Sequence, residues 1–149
     1  MPALAYLYIP TPPVETLAEV LGVIISAGIS ISHFGRSDPP KKFIGNVQTM
    51  SQLILEQPEI NKYAFMRDKA QGVDLTLELF YDPRWSHSTL SLSGSAQQSI
   101  LSIATKLTEL LNPYLCIQGE SGAGKNQVWH VIYERNDCPQ ELSNVVKKA

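Results

Sequence analysis

The sequence predicts an α+β domain, a largely antiparallel sheet of six or seven strands with two main helices packed on one face. Three observations carry that prediction. Segments of period-two alternation recur along the chain, most clearly in VDLTLELFYD at 73–82. Only two long stretches, 13–27 and 95–111, repeat apolar residues at helical spacing. The third observation is size: 149 residues, 44% hydrophobic and 17% charged, suffice for one core, so 1–149 is read as a single domain.

ALAYLYI at 3–9 is apolar at both alternating sets of positions and is followed by Pro10, which predicts a strand buried on both faces. Thr11 is placed to cap the helix that follows, Pro12 and Pro13 suit its first turn, and Leu17, Leu21, Ile24 and Ile25 form its apolar stripe up to Gly28. ISISHF at 29–34 alternates as a strand, and GRSDPPKKFIGN is loop because its prolines withhold backbone donors. Val47–Gln57 reads as a short helix with Val47, Met50, Leu53 and Ile54 on one side. YAFMRD is a modest strand.

Residues 73–93 read as a hairpin: Val73, Leu75, Leu77, Leu79 and Tyr81 face one way, Asp74, Thr76 and Glu78 the other, and STLSLSG returns beyond DPRWS. One face of the sheet is therefore expected to be wet. The second long helix, Ser95–Asn112, carries a capping box of Ser95 with Gln98 and buries Ile100, Leu101, Ile103, Ala104, Leu107 and Leu111. YLCIQ and QVWHVIY are strands, with Trp129, Val131 and Tyr133 on one core face, and a last helix is expected over 139–147.

Two strand-helix-strand units match in order and length. Gly35, Ser37 and Lys41 fall 84 residues before Gly119, Ser121 and Lys125 (119 − 35, 121 − 37, 125 − 41), which suggests an internal duplication of 3–42 and 88–126. Such a duplicated β-α-β-β unit resembles ferredoxin-like architecture.

The composition gives no field to gather nucleic acid or an anionic membrane, since 12 basic against 14 acidic residues leave a net charge of −2. The N-terminus lacks a basic n-region, and the longest apolar stretch is broken by Glu15, Glu19, Gly22 and Gly28, so a cytoplasmic location is expected. Cys116 and Cys138 are read as reduced structural thiols. His33, His87 and His130 show no metal-ligand spacing, and neither metal nor cofactor is expected. A nucleophile and base made of Cys116 and His33 requires the two repeated units to be neighbours.

GESGAGKN at 119–126 matches three fixed positions of a phosphate loop through Gly119, Gly124 and Lys125, with Asn126 where a Ser or Thr hydroxyl would hold magnesium. The octapeptide resembles the phosphate-binding loop of the myosin motor family over eight of 149 positions. That resemblance implies ATP bound through Lys125 and the backbone of Gly122 and Gly124, with Ser121 inside the loop. A phosphate loop must open a helix, whose N-terminus supplies aligned donors, whereas QVWHVIY has strand chemistry.

The surface feature that stands out is DPRWSHS, where Arg84, Trp85 and His87 combine residue types that anchor interfaces. The expected function is thus a non-catalytic protein-binding or regulatory domain, with a protein partner or a second copy as ligand. The alternative is a nucleotide-binding protein or NTPase using 119–125.

Overall fold

The computed structural model describes residues 3–10, 14–81, 87–120 and 129–147. The elements follow in the order β1 (Ala3–Pro10), α1 (Val14–Ser26), β2 (Ile29–Gly35), α2 (Val47–Glu56), β3 (Lys62–Asp68), β4 (Val73–Phe80) and β5 (His87–Gly94). Then come α3 (Gln97–Leu111), β6 (Leu115–Glu120), β7 (His130–Glu134) and α4 (Gln140–Lys147). The seven strands form one sheet in the order β2-β3-β4-β5-β1-β6-β7, and each neighbouring pair is antiparallel. The expected class and sheet type are what the chain adopts.

The core lies on one face. Ala5 and Leu7 of β1, Leu75 and Leu77 of β4 and Leu90 and Leu92 of β5 are at most 1% exposed, and they meet Leu21, Ile24, Ile100 and Leu107 of α1 and α3. Their alternation at two in the strands and at three and four in the helices is what places one apolar face of each element in this layer. Met50 and Ile54 bring α2 against the same cluster.

Local chemistry fixes several boundaries. Asn46 caps α2 by accepting the Thr49 N–H at 3.0 Å. Gly28 has φ +87°, a left-handed turn that lets the chain leave α1 and enter β2 at once. Gly94 ends β5 where a Cβ would meet the Leu75 Cδ2 at 2.6 Å and the Asp74 carbonyl oxygen at 3.1 Å, so a larger residue would have to displace the Leu75 side chain.

The structure corrects the sequence in four places. The capping box is absent: α3 starts at Gln97 after Ala96, whose side chain makes no cap. β5 stays paired through Gly94 with Ala3 and Leu75, which uses Ser95 and Ala96 to turn the chain. The first turn of α3 is instead tied across the fold, where the Ser99 hydroxyl donates to Asp68 Oδ2 at 2.9 Å.

Second, β1 is buried on one face only and half-buried on the other. Third, Trp129, Val131 and Tyr133 do not share a core face. A bulge between Cys116 and Ile117 breaks the register of β6 with β7, Val131 is 47% exposed, and Tyr133 packs on the helix-side core while Trp129 joins a second cluster.

Fourth, the two repeated units are not equivalent. α1 links β1 to β2 across three intervening strands, α3 links β5 to β6 across β1 alone, and the duplication is not supported.

Candidate functional site

The second face of the sheet is the place where chemistry gathers. α1, α2 and α3 pack on the first face, and on the second α4 reaches only one end, where Leu142 buries Leu115 and Ile117 beside Tyr8 and Cys138. The strand period then decides what the rest of this face displays, because the residues that flank the buried leucines in sequence point the other way. His33, Phe65, Thr76, Ser93 and Leu4 are successive cross-strand partners, and Tyr63, Glu78, Ser91, Tyr6 and Ile117 form the next row. A third row holds Phe80, Thr89, Tyr8 and Leu115. The apolar character of β1 at both sets of positions is explained here, since Leu4, Tyr6 and Tyr8 help to floor this surface.

The aromatic rings lie in contact. Tyr6 is 5.5 Å from Trp129 and 6.2 Å from Tyr8, Tyr63 meets Phe80 edge-on at 6.2 Å, and His33 tilts over Phe65 at 5.3 Å. All of these rings are half-buried, so they are rings of a surface and not of a sealed core. Beside the first row lies a cleft of about 590 Å³ lined by His33, Phe65, Arg67, Asp74, Thr76 and Ser93. Its rim is polar: Arg67 pairs with Asp74 at 2.8 Å, Ser32 Oγ is hydrogen-bonded to His33 Nδ1 at 2.8 Å, and Thr76 and Ser93 bond hydroxyl to hydroxyl.

The electrostatics follow from partial burial. Desolvation, aided by Asp38, pushes the Glu78 carboxyl above its usual range. Burial likewise raises Tyr8 to about 12, with Tyr6 adding to the effect, and raises Tyr6, where Glu78 contributes. Both phenols stay protonated at neutral pH and act as hydroxyl donors.

The residues singled out from sequence are placed as follows. His87 opens β5 at 8% exposure with its ring edge-on to Tyr8 at 5.5 Å, so it belongs to the floor at the α4 end. Burial lowers its pKa from 6.5 and the Glu141 carboxylate opposes that shift. A depressed histidine favours folding fully above its unfolded pKa and loses that contribution as pH falls through 6.5 and below. His87→Gln is accordingly expected to flatten the fall in thermal midpoint across that range, read by calorimetry at pH values on either side of it.

Arg84 and Trp85 lie outside the described residues, in the segment that joins the Phe80 end of β4 to His87. Gly119 sits within β6 as the partner of Leu4, whereas Ser121, Gly122, Gly124 and Lys125 lie outside the described residues. The next described element after β6 is β7, a strand antiparallel to it.

Cys116 and His33 stand on β6 and β2 with four strands between them, so they form no nucleophile and base. Cys116 is fully buried, and that burial, against a hydrogen bond with Thr108, lifts its thiol to about 11. Iodoacetamide at neutral pH is expected to label Cys138 on the folded protein and Cys116 only after denaturation, as mass spectrometry of the two peptides would show. Among the described residues no group of three His, Cys, Asp or Glu side chains is placed to hold a metal ion. No described helix is long and apolar enough to cross a membrane.

No protein-family model matches the chain, and no curated protein matches it. The site is therefore argued from its own residues. Sequence reasoning missed it because its signal is spread over six strands, one to three residues from each, and becomes visible only when their register is known. The alternation of β4 did indicate that Thr76 and Glu78 leave the core.

Proposed function

We propose that this protein is a non-catalytic binding domain whose working surface is the open face of the sheet, taking a protein partner or a second copy of itself. One observation supports this above the rest: all three larger helices pack on one face, and half-buried aromatic rings occupy the other. Aromatic rings on either side of polar side chains suit an interaction surface, and tyrosine and tryptophan carry much of the energy at such sites.

Affinity capture with the wild-type chain as bait, repeated with Tyr63→Ser/Phe65→Ser and with Leu110→Ser as a control on the helix side, tests it. Leu110 is 63% exposed and lies away from the face. Sedimentation of the same three proteins reports self-association. A partner or dimer kept by the control and lost by the double variant supports the proposal; equal behaviour of all three overturns it. A nucleotide-binding reading through 119–125 predicts instead that a fluorescent ATP analogue binds at micromolar concentration and that Lys125→Ala abolishes binding.

A further inference from the structure

We infer that the cleft spanning β2 to β5 on the open face is a binding site for a small, uncharged, flat molecule with an amide edge, an N–H beside a C=O. The inference goes beyond the preceding reading, because the cleft can take such a ligand whether or not the rest of the face takes a protein.

The cleft is built by strand register. His33, Phe65, Thr76 and Ser93 are consecutive partners on β2, β3, β4 and β5, and all four line it. Arg67 and Asp74 are partners nearer the β3–β4 turn and line it too. Successive residues of a strand normally face opposite ways. Here a bulge between Ile31 and His33 breaks the period of β2, and Ser32 and His33 both line the cleft.

Its polar groups are held in place by the protein itself. Ser32 Oγ is hydrogen-bonded to His33 Nδ1 at 2.8 Å and lies 3.3 Å from the Phe65 carbonyl oxygen, which steadies the imidazole beside the Phe65 ring. Arg67 donates through Nη1 to Asp74 Oδ1 at 2.8 Å and through Nη2 to the Gly72 carbonyl at 3.2 Å, so two bonds orient the guanidinium. A guanidinium has about five N–H groups and a carboxylate about four acceptor positions, so both keep capacity for a ligand.

Three properties define what fits. The cleft holds about 590 Å³, within the range of small-molecule sites and too large for one inserted side chain to fill. The Arg67 and Asp74 charges cancel, so an anion meets Asp74 and a cation meets Arg67 at the same place, and an uncharged ligand avoids both repulsions. Finally, a donor stands beside an acceptor. An amide edge matches that pair, its C=O accepting from Arg67 and its N–H donating to Asp74, and bonds to charged groups are the stronger kind. Thr76 and Ser93 already bond each other and Phe65 presents only its ring, so the remainder of the ligand is apolar.

The test is a titration of the ¹⁵N-labelled chain with quinolin-2-one, a flat lactam. Saturable shifts centred on the amides of His33, Phe65, Thr76 and Ser93 support the site. N-methylquinolin-2-one keeps the shape and the carbonyl but lacks the N–H, and is expected to bind about tenfold more weakly. Naphthalene-2-carboxylate and 2-naphthylmethylammonium, charged and of similar size, should bind more weakly than the lactam. Asp74→Ala removes a side chain that is 81% exposed, so its circular dichroism should match wild type. It is expected to lose about tenfold for quinolin-2-one and to keep its affinity for the N-methyl compound. If that variant does not fold, the four wild-type titrations decide alone. No saturable shift, shifts that map elsewhere, a charged or N-methyl analogue binding as tightly as the lactam, or equal lactam affinity in folded Asp74→Ala would overturn the inference. If the titrations fail while Tyr63→Ser/Phe65→Ser still loses its partner, the small-molecule site falls and the binding face stands.

Discussion

Leu92→Ala is expected to lower folding stability by about 2 to 5 kcal/mol, the cost of removing a buried leucine and leaving part of its volume empty. Leu92 is 0% exposed on β5 and lies between its partners Leu77 of β4 and Ala5 of β1. Both neighbours are themselves fully interior, so nothing can move in from the surface to fill the space. Leu110→Ala, on the exposed side of α3, should change stability by no more than about 0.5 kcal/mol. Urea unfolding followed by circular dichroism gives both values. A loss below about 1 kcal/mol at Leu92 would mean that the layer between sheet and helices is loosely packed.

The second large effect is at a polar site. Asp68, 8% exposed at the end of β3, accepts the N–H groups of Ala70 and Gln71 at 3.1 and 3.3 Å through Oδ1 and the Ser99 hydroxyl at 2.9 Å through Oδ2. One carboxylate thus closes the β3–β4 turn and fastens the start of α3. Asp68→Ala is expected to cost about 2 to 4 kcal/mol, because charge-assisted bonds are lost and their donors are left without partners. Asp68→Asn keeps one acceptor oxygen and should cost less. A double-mutant cycle with Ser99→Ala measures the part of this that crosses the fold, expected at about 1 to 2 kcal/mol. A coupling near zero would show that Asp68 serves the turn alone.

Asp68 also shows what a sequence conceals. The hairpin 73–93 and the helices 13–27 and 95–111 were legible because their signals are local: leucines at alternate positions in β4, and apolar residues at three and four in α1 and α3. The start of α3 was misplaced because Ser95 and Gln98 make a plausible local cap, while the bond that holds the turn comes from a residue 31 positions away. β7 was read as half core for a similar reason. Its alternation is real, but a bulge against β6 redirects Tyr133 to the helix side, where its hydroxyl donates to Asn112 Oδ1 at 3.0 Å.

The open face was the least legible part. Its rows join Tyr6 to Ser91, 85 positions apart (91 − 6), and Ser91 to Glu78, and no single segment carries the pattern. In β1 the tyrosines looked like the second buried side of a central strand. They belong instead to the half-buried face beneath Trp129. The 84-residue spacing between the two loops had the opposite failing: an apparent regularity with no counterpart in the way α1 and α3 cross the sheet.

One-sided burial of the sheet is the claim on which the binding face depends. Hydroxyl-radical footprinting with mass spectrometry reads it residue by residue. Tyr63, Phe65 and Tyr6 should be oxidised readily on the folded protein, while Phe34, 3% exposed on the helix side, should stay protected until unfolding. Protection of Tyr63 and Phe65 as complete as that of Phe34, in a sample shown to be monomeric, would contradict it.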